Sequence, residues 1–460
     1  MRKNLFLLLL AAMFTMVSCN YNEDQVTVNT SNADQEAIVD GKVPLSRAIS
    51  NADFIFRNTE GLGAKKRKVK SVDVLTTSNT NSVIANTRSG VDGQEQPVAY
   101  VVNYENNEGF AILAADTKLP PVIGIGDEGN FNTQGFIDFV QNNATRTGGS
   151  ELNPAQEVQY AVINNSLLLP PSIGGPYLAN CTDTTIILKC MPLVRTKWRQ
   201  DDPYNYYSPI PQGREYKSTA GCVPVAGAQT LASLCFHHNW RPITQLSEDY
   251  HINWYAINRM IFDGIYKLGG NINNDVFVVA SLIRAIGEDV GADYVTYYPN
   301  TTASNEQLKN TFQKLGLSNV LFENDSYNKP ISRSDLFDMI VNKHYPIPTQ
   351  ASRSDEYASS YSFGHSFVLD GWLRLEYSIE TAQLIDIDVN NSVVVIDNVQ
   401  HRFDLVHVNF GWGGDHDGYY LPDAFDLGKD EFRDYAEEGD KISGSPNIYG
   451  MNVQYLVYDL

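Results

Sequence analysis

Apolar and polar positions change texture several times along these 460 residues. The first nineteen, "MRKNLFLLLLAAMFTMVSC", are a basic pair followed by a nearly unbroken apolar run. "NYNEDQVTVNTSNADQEA" comes next, polar and poor in core formers; such a segment buries too little surface to order itself and reads as a tether. At "VPLSRAISNADFIFRN" the apolar spacing becomes helical. The stretch 64–90 is basic and rich in Ser and Thr, and reads as exposed. In "VAYVVNYENNEGFAILAAD" β-branched and aromatic residues flank Asn-Asn-Glu-Gly, which predicts a hairpin, and "VIGIGDEGNF" predicts a further strand. This first unit is therefore a small α+β domain.

Beyond Cys181 the pattern shifts again. Residues 186–221, rich in Pro, Tyr and Asn, predict a long irregular segment leading into a helix that opens at "CVPVAGAQTLASL". Further helices are predicted at 275–291 and at 332–344, the latter with Ser334 as its N-cap. Strand patterns follow at 364–375, 391–399 and 404–412. Helices first and an antiparallel sheet second argue for an α+β fold and against a doubly wound sheet. The length exceeds what one core usually needs, which gives a leader at 1–19, a tether at 20–40, a first domain at 41–185 and a second at 186–460.

Composition and charge narrow the function. A formal net charge of −20 repels phosphate backbones and anionic bilayers, so nucleic acid is excluded as a partner. The leader ends in Ser18 and Cys19, as a bacterial lipoprotein signal does, and its apolar run is short for a membrane span. The expectation is cleavage before a lipidated Cys19, with membrane attachment only through that anchor, at the outer membrane or cell surface. Cys181 and Cys190 flank "TDTTIILK" and form either a disulfide or a pair of thiols; Cys235 closes an apolar helical face and reads as buried. "DHDG" at 415–418 reads as a solvated turn, since no further ligands are spaced nearby for a cation.

Cys222 needs a different explanation. It follows Gly221 at a helix start, where unsatisfied N–H groups and the dipole favour thiolate, and Pro224 fits a first turn that lacks nothing by its missing N–H. Residues 20–180 contain neither cysteine nor histidine, so the first domain offers no nucleophile or imidazole base. Among eight histidines, His365 alone combines a preceding glycine with a strong strand behind it, in "SFGHSFVLDGW". "VHVNFGWGGDHDGYYL" then supplies Asn409, a polar group to orient an imidazole, and Trp412, a ring to shield it. Cys, His and Asn in that chain order are the papain-type arrangement.

At these residues the sequence resembles the streptopain-like cysteine peptidases. "WRQDDPYNYYSP", "AGCVPVAGAQ", "GHSFVLDG" and "HVNFGWGGDHDGYYLPDA" are similar to four motifs of that family in the family's order, and "YVVNYENNEGFAILAADTKLPPVIGIGDEGNF" resembles its propeptide. The resemblance implies a papain-like catalytic domain behind an inhibitory prodomain, acting on protein or peptide substrates as a secreted zymogen without a cofactor or metal. It implies Cys222 as nucleophile, His365 as general base and then acid, and Gln200 as oxyanion donor beside the Cys222 N–H. Asn409 and Trp412 would orient and shield the imidazole. Phe410 departs from the family's tryptophan and Pro224-Val225 from its Ala-Thr. The connection through 374–400 is longer than usual and is expected to form an extra hairpin. Activation is expected from a cut between about residues 180 and 197. Two other readings compete: a Cys-His amidase or acyltransferase on the same scaffold, and a surface binding protein that lost its chemistry. The second is disfavoured because every reacting residue is present.

Overall fold

The computed structural model describes residues 41–59, 66–80, 96–143 except 118, 154–167, 179–181, 184–322 except 248, 331–353, 364–388, 391–422 and 451–460. The leader and tether expected at 1–40 lie outside the described residues.

The first unit comprises α1 (Leu45–Thr59), β1 (Val69–Thr76), β2 (Pro97–Tyr104), β3 (Phe110–Ala114), β4 (Val122–Gly126), α2 (Thr133–Asn143) and α3 (Pro154–Leu167). The Asn-Asn-Glu-Gly signal turns the chain between β2 and β3, with Asn106 and Asn107 both at positive φ, 57° and 58°. Every position of β3 and β4 is buried, because α1 packs against both strands and α3 against β4. The basic stretch, expected to be exposed, is in part a strand. It contains β1, which forms the edge of the sheet beside β2 and buries only Leu75, so its charged residues discourage further pairing there.

The second unit follows β5 (Ala179–Cys181) and β6 (Thr185–Cys190). It contains α4 (Cys222–His238), α5 (Trp254–Phe262), α6 (Asn274–Asp289), α7 (Asn305–Lys314), β7 (Ser318–Phe322) and α8 (Arg333–Phe337). β8 (Ile347–Arg353), β9 (Gly364–Asp388), β10 (Asn391–Asn409), β11 (Gly418–Tyr420) and β12 (Met451–Asp459) complete it. The α+β expectation holds. α4 is buried continuously from Val223 to Cys235 and packs on α5, α6 and β9, as a helix apolar on all sides must. At α8 the cap is Ser332, not Ser334: the Ser332 side chain accepts from Asp335 N and the Asp335 carboxylate accepts from Ser332 N, a capping box that leaves Ser334 inside the first turn.

One antiparallel sheet runs through both units in the order β1-β2-β3-β4-β11-β10-β9-β8-β12-β7, with β5 and β6 also on β9. The seam is β4 against β11, pairing Gly126 with Gly418, Ile125 with Tyr419 and Gly124 with Tyr420. A Cβ on Gly418 would sit 2.0 Å from the Ile125 carbonyl oxygen, so only glycine permits this approach. The extra 374–400 connection is a hairpin of β9 and β10, and β6 and β5 flank its β9 side. The segment expected to be irregular from residue 186 thus starts as a strand. Leu193 N and Val194 N then bond Asp370, to its carbonyl and its carboxylate, each at 2.8 Å.

Candidate active site

Cys222 opens α4 behind Gly221, whose φ of 93° lies in the left-handed region and whose Cβ, if present, would meet Thr301 Cγ2 at 3.1 Å. The Cys222 residue is half-buried, and burial raises its thiol pKa above the ordinary value. The Ser366 backbone and side chain and the Val223 backbone, facing the sulfur, oppose that rise. The sulfur therefore meets the strand residue next to His365.

His365 lies near the start of β9, opposite Ala351 of β8, and is 1% exposed. Its Nε2 is 2.7 Å from the Phe410 carbonyl oxygen. Since a carbonyl only accepts, the ring proton sits on Nε2 and Nδ1 carries the lone pair. The rings of Phe367, Phe410 and Trp412 surround it at centroid distances of 6.3, 6.4 and 6.2 Å. Burial lowers its pKa to about 4. With the thiol raised and the imidazole lowered, this conformation favours the neutral pair over thiolate and imidazolium.

Asn409 stands at the end of β10, but its side chain does not orient the imidazole. Its Oδ1 accepts from Gln229 Nε2 at 2.9 Å and from Gly411 N at 3.1 Å, and its Nδ2 donates to the Thr196 carbonyl at 3.0 Å. The group bound to His365 is the next residue's carbonyl, which carries no side-chain signal in a sequence. Gln229, fully buried in α4, also accepts from Thr196 Oγ1 and Trp198 N at 3.1 Å each. Gln200 ends the segment that this network fixes to α4, and its carbonyl accepts from Ala220 N at 2.6 Å, two residues before the nucleophile candidate. Gln229 was visible in "AGCVPVAGAQ" only as a motif letter.

A second cluster crosses the seam. His407 is buried with Nδ1 at 2.6 Å from Asp370 and Nε2 at 3.2 Å from Asp127, which follows β4. Burial alone would lower its pKa, but the two carboxylates raise it to about 10. Lys197 pairs with Glu128 beside it. Asp417 corrects the reading of "DHDG" as a solvated turn: it is 3% exposed, and its Oδ1 accepts from Phe410 N at 2.7 Å. Elsewhere Cys235 is buried, as expected, and the Cys190 sulfur lies 3.5 Å from the Ile340 carbonyl oxygen; the Cys181 side chain is outside the described residues.

Residues 198–420 match the model of the Peptidase C10 family, and residues 57–143 that of the Spi protease inhibitor family. The chain is 22% identical over 303 residues to a thiol protease/hemagglutinin, PrtT, of Porphyromonas gingivalis; the match covers 61% of this chain and 32% of that protein. The chain thus spans about a third of that relative's length. Two solved structures are similar. A fragment of prointerpain A from Prevotella intermedia has a TM-score of 0.42 and 17% identity, covering 78% of this chain and 95% of that one. Active interpain A from the same organism has a TM-score of 0.35 and 18% identity, covering 51% and 87%.

Proposed function

We propose, for a chain whose residues 198–420 belong to the Peptidase C10 family of cysteine peptidases, that it is an endopeptidase held as a zymogen by its own first unit. The observation that carries this reading is the packing of the α4 N-terminus, with the Cys222 sulfur, against the strand that presents His365. With Nε2–H held on the Phe410 carbonyl, Nδ1 of His365 is the base that takes the thiol proton. The thiolate attacks a peptide carbonyl. The Cys222 N–H and the Gln200 side-chain amide stabilise the resulting oxyanion, and the imidazolium returns its proton to the leaving amine. Water then hydrolyses the acyl-enzyme. Trp412 shields the pair from solvent at its 6.2 Å distance.

Latency follows from the shared sheet. The first unit continues the catalytic sheet through β4 and β11, beside the 411–417 loop that carries Trp412. The cut proposed here lies upstream of the expected one. β5 and β6 are both bonded to β9 and residues 193–194 to Asp370, so a protease would have to strip strands to enter at 179–194. The favoured cut lies between Leu167 and Ala179, in "LLPPSIGGPYL", whose Pro and Gly composition is that of a connector. It would release the catalytic unit from the lipid anchor expected at Cys19.

Incubating the purified precursor with reductant, beside Cys222→Ala, tests the reading on one gel. Self-processing and digestion of an unfolded protein by the wild type alone are expected. Undiminished activity in Cys222→Ala would remove the nucleophile assignment.

A further inference from the structure

We infer that Asp417 is a positioning residue for the His365 imidazole, acting through the backbone of Phe410. The inference rests on His365 being the base proposed above. Three consecutive hydrogen bonds carry it. His365 Nε2 donates to the Phe410 carbonyl at 2.7 Å, Phe410 N donates to Asp417 Oδ1 at 2.7 Å, and the Asp417 carbonyl accepts from Asp127 N at 2.8 Å. The first two are short and lie in a buried setting, since His365, Phe410 and Asp417 are 1%, 0% and 3% exposed.

The physical consequence is a fixed acceptor beside a buried carboxyl group. The Phe410 N–H and the Phe410 carbonyl belong to different peptide units, so Asp417 acts by holding in place the residue that carries the acceptor, and its buried charge favours the imidazolium through space where the dielectric is low. The Phe410 carbonyl so fixed accepts more strongly from the Nε2–H of an imidazolium than from that of a neutral ring. Asp417 also fixes the loop: its N–H bonds the Gly414 carbonyl at 3.3 Å, closing the turn that begins at Trp412. It thereby does for this imidazole what the Asn409 side chain, engaged elsewhere, does not.

The third bond ties the device to the first unit. Asp127 reaches Asp417 with its backbone and His407 with its carboxylate, so docking of β4 touches both. The charged groups around Asp417 are His407, which favours its ionised form, and Asp127 and Asp370, which oppose it; Lys197 adds positive charge from the segment before Gln200. Burial is the largest influence and holds the Asp417 pKa at about 7 while the first unit is docked. Leaving takes one opposing carboxylate away and favours the charged form.

The test uses the full chain, before and after self-processing. Asp417→Asn keeps an acceptor for Phe410 N but loses the charge, and Asp417→Ala loses both. With labelled histidine, and His365→Gln to identify the signal, the His365 titration is followed by NMR alongside kcat and KM on a fluorogenic peptide. Asp417→Asn is expected to move the His365 titration to lower pH. It should also reduce kcat by roughly 10- to 100-fold, as outer partners of a functional histidine do, with KM nearly unchanged. Asp417→Ala should lose more. A His365 titration that does not move in Asp417→Asn overturns the inference, even if activity falls, because a purely structural residue would do the same. A titration that moves in a chain whose wild type cleaves no peptide upholds the positioning role and removes the peptidase reading instead.

Discussion

At the residue scale, Asn409 and Gln229 separate architecture from chemistry. Gln229 satisfies two buried groups in the 196–198 segment and one in Asn409, so Gln229→Ala leaves several polar atoms without partners in the core. At about 1–3 kcal/mol for each such group, a loss of about 3 kcal/mol in urea unfolding is expected. Asn409→Ala should likewise lower stability by about 2 kcal/mol, and the two changes together should cost less than their sum, because they share one hydrogen bond. The pH profile of the enzyme should keep its shape in Asn409→Ala. A shifted limb would show that its side chain governs the imidazole after all.

At the element scale, the helix start and the seam each depend on one backbone position. Gly221→Ala forces a side chain to φ 93° and towards Thr301, with a strain of about 1–3 kcal/mol, and displaces the thiol that follows. Lower stability together with slowed alkylation of Cys222 by iodoacetamide is expected; a loss of stability alone would mean that α4 absorbs the change. At the seam, His407 has a folded pKa of about 10 against an ordinary 6.5. A raised pKa means that the folded state binds the extra proton. The stability it contributes is complete below about pH 6.5 and is lost as pH rises through 10. The melting temperature of the precursor should therefore fall from pH 7 to pH 10, and less steeply in Asp127→Asn, which removes one of the two carboxylates. Equal slopes would show that Asp370 alone sets the His407 charge.

At the scale of the whole molecule, one sheet joins two units that the sequence separates. Removing the first unit opens the β11 edge and takes Asp127 and Glu128 from their partners His407 and Lys197. A chain beginning at Ala179 is expected to hydrolyse peptide without a lag. Residues 41–167 added in trans should inhibit it, and more weakly when Ile125→Pro prevents the β4 pairing with β11. Equal inhibition by both would place the inhibitory contact away from the seam.

Local sequence determined what depends on neighbouring residues. Gly-Cys before an apolar run placed the α4 start at Cys222, Asn-Asn-Glu-Gly placed the β2–β3 turn, and the strand behind Gly364 placed His365 at its beginning. A thiol at a helix N-terminus and a histidine on a strand suffice to suggest a nucleophile and a base. Tertiary structure decided which polar groups meet. The Asn409 amide is taken by Gln229, a partner 180 positions away, so a backbone carbonyl holds His365 in its place. "DHDG" is polar in composition, yet Asp417 is buried because the first unit's β4 closes over its neighbour Gly418. The segment after residue 184 looked irregular because its regular hydrogen bonds are made to β9, nearly two hundred residues on. Hydropathy records how each residue partitions from water; which donor meets which acceptor is fixed only when distant strands come into register.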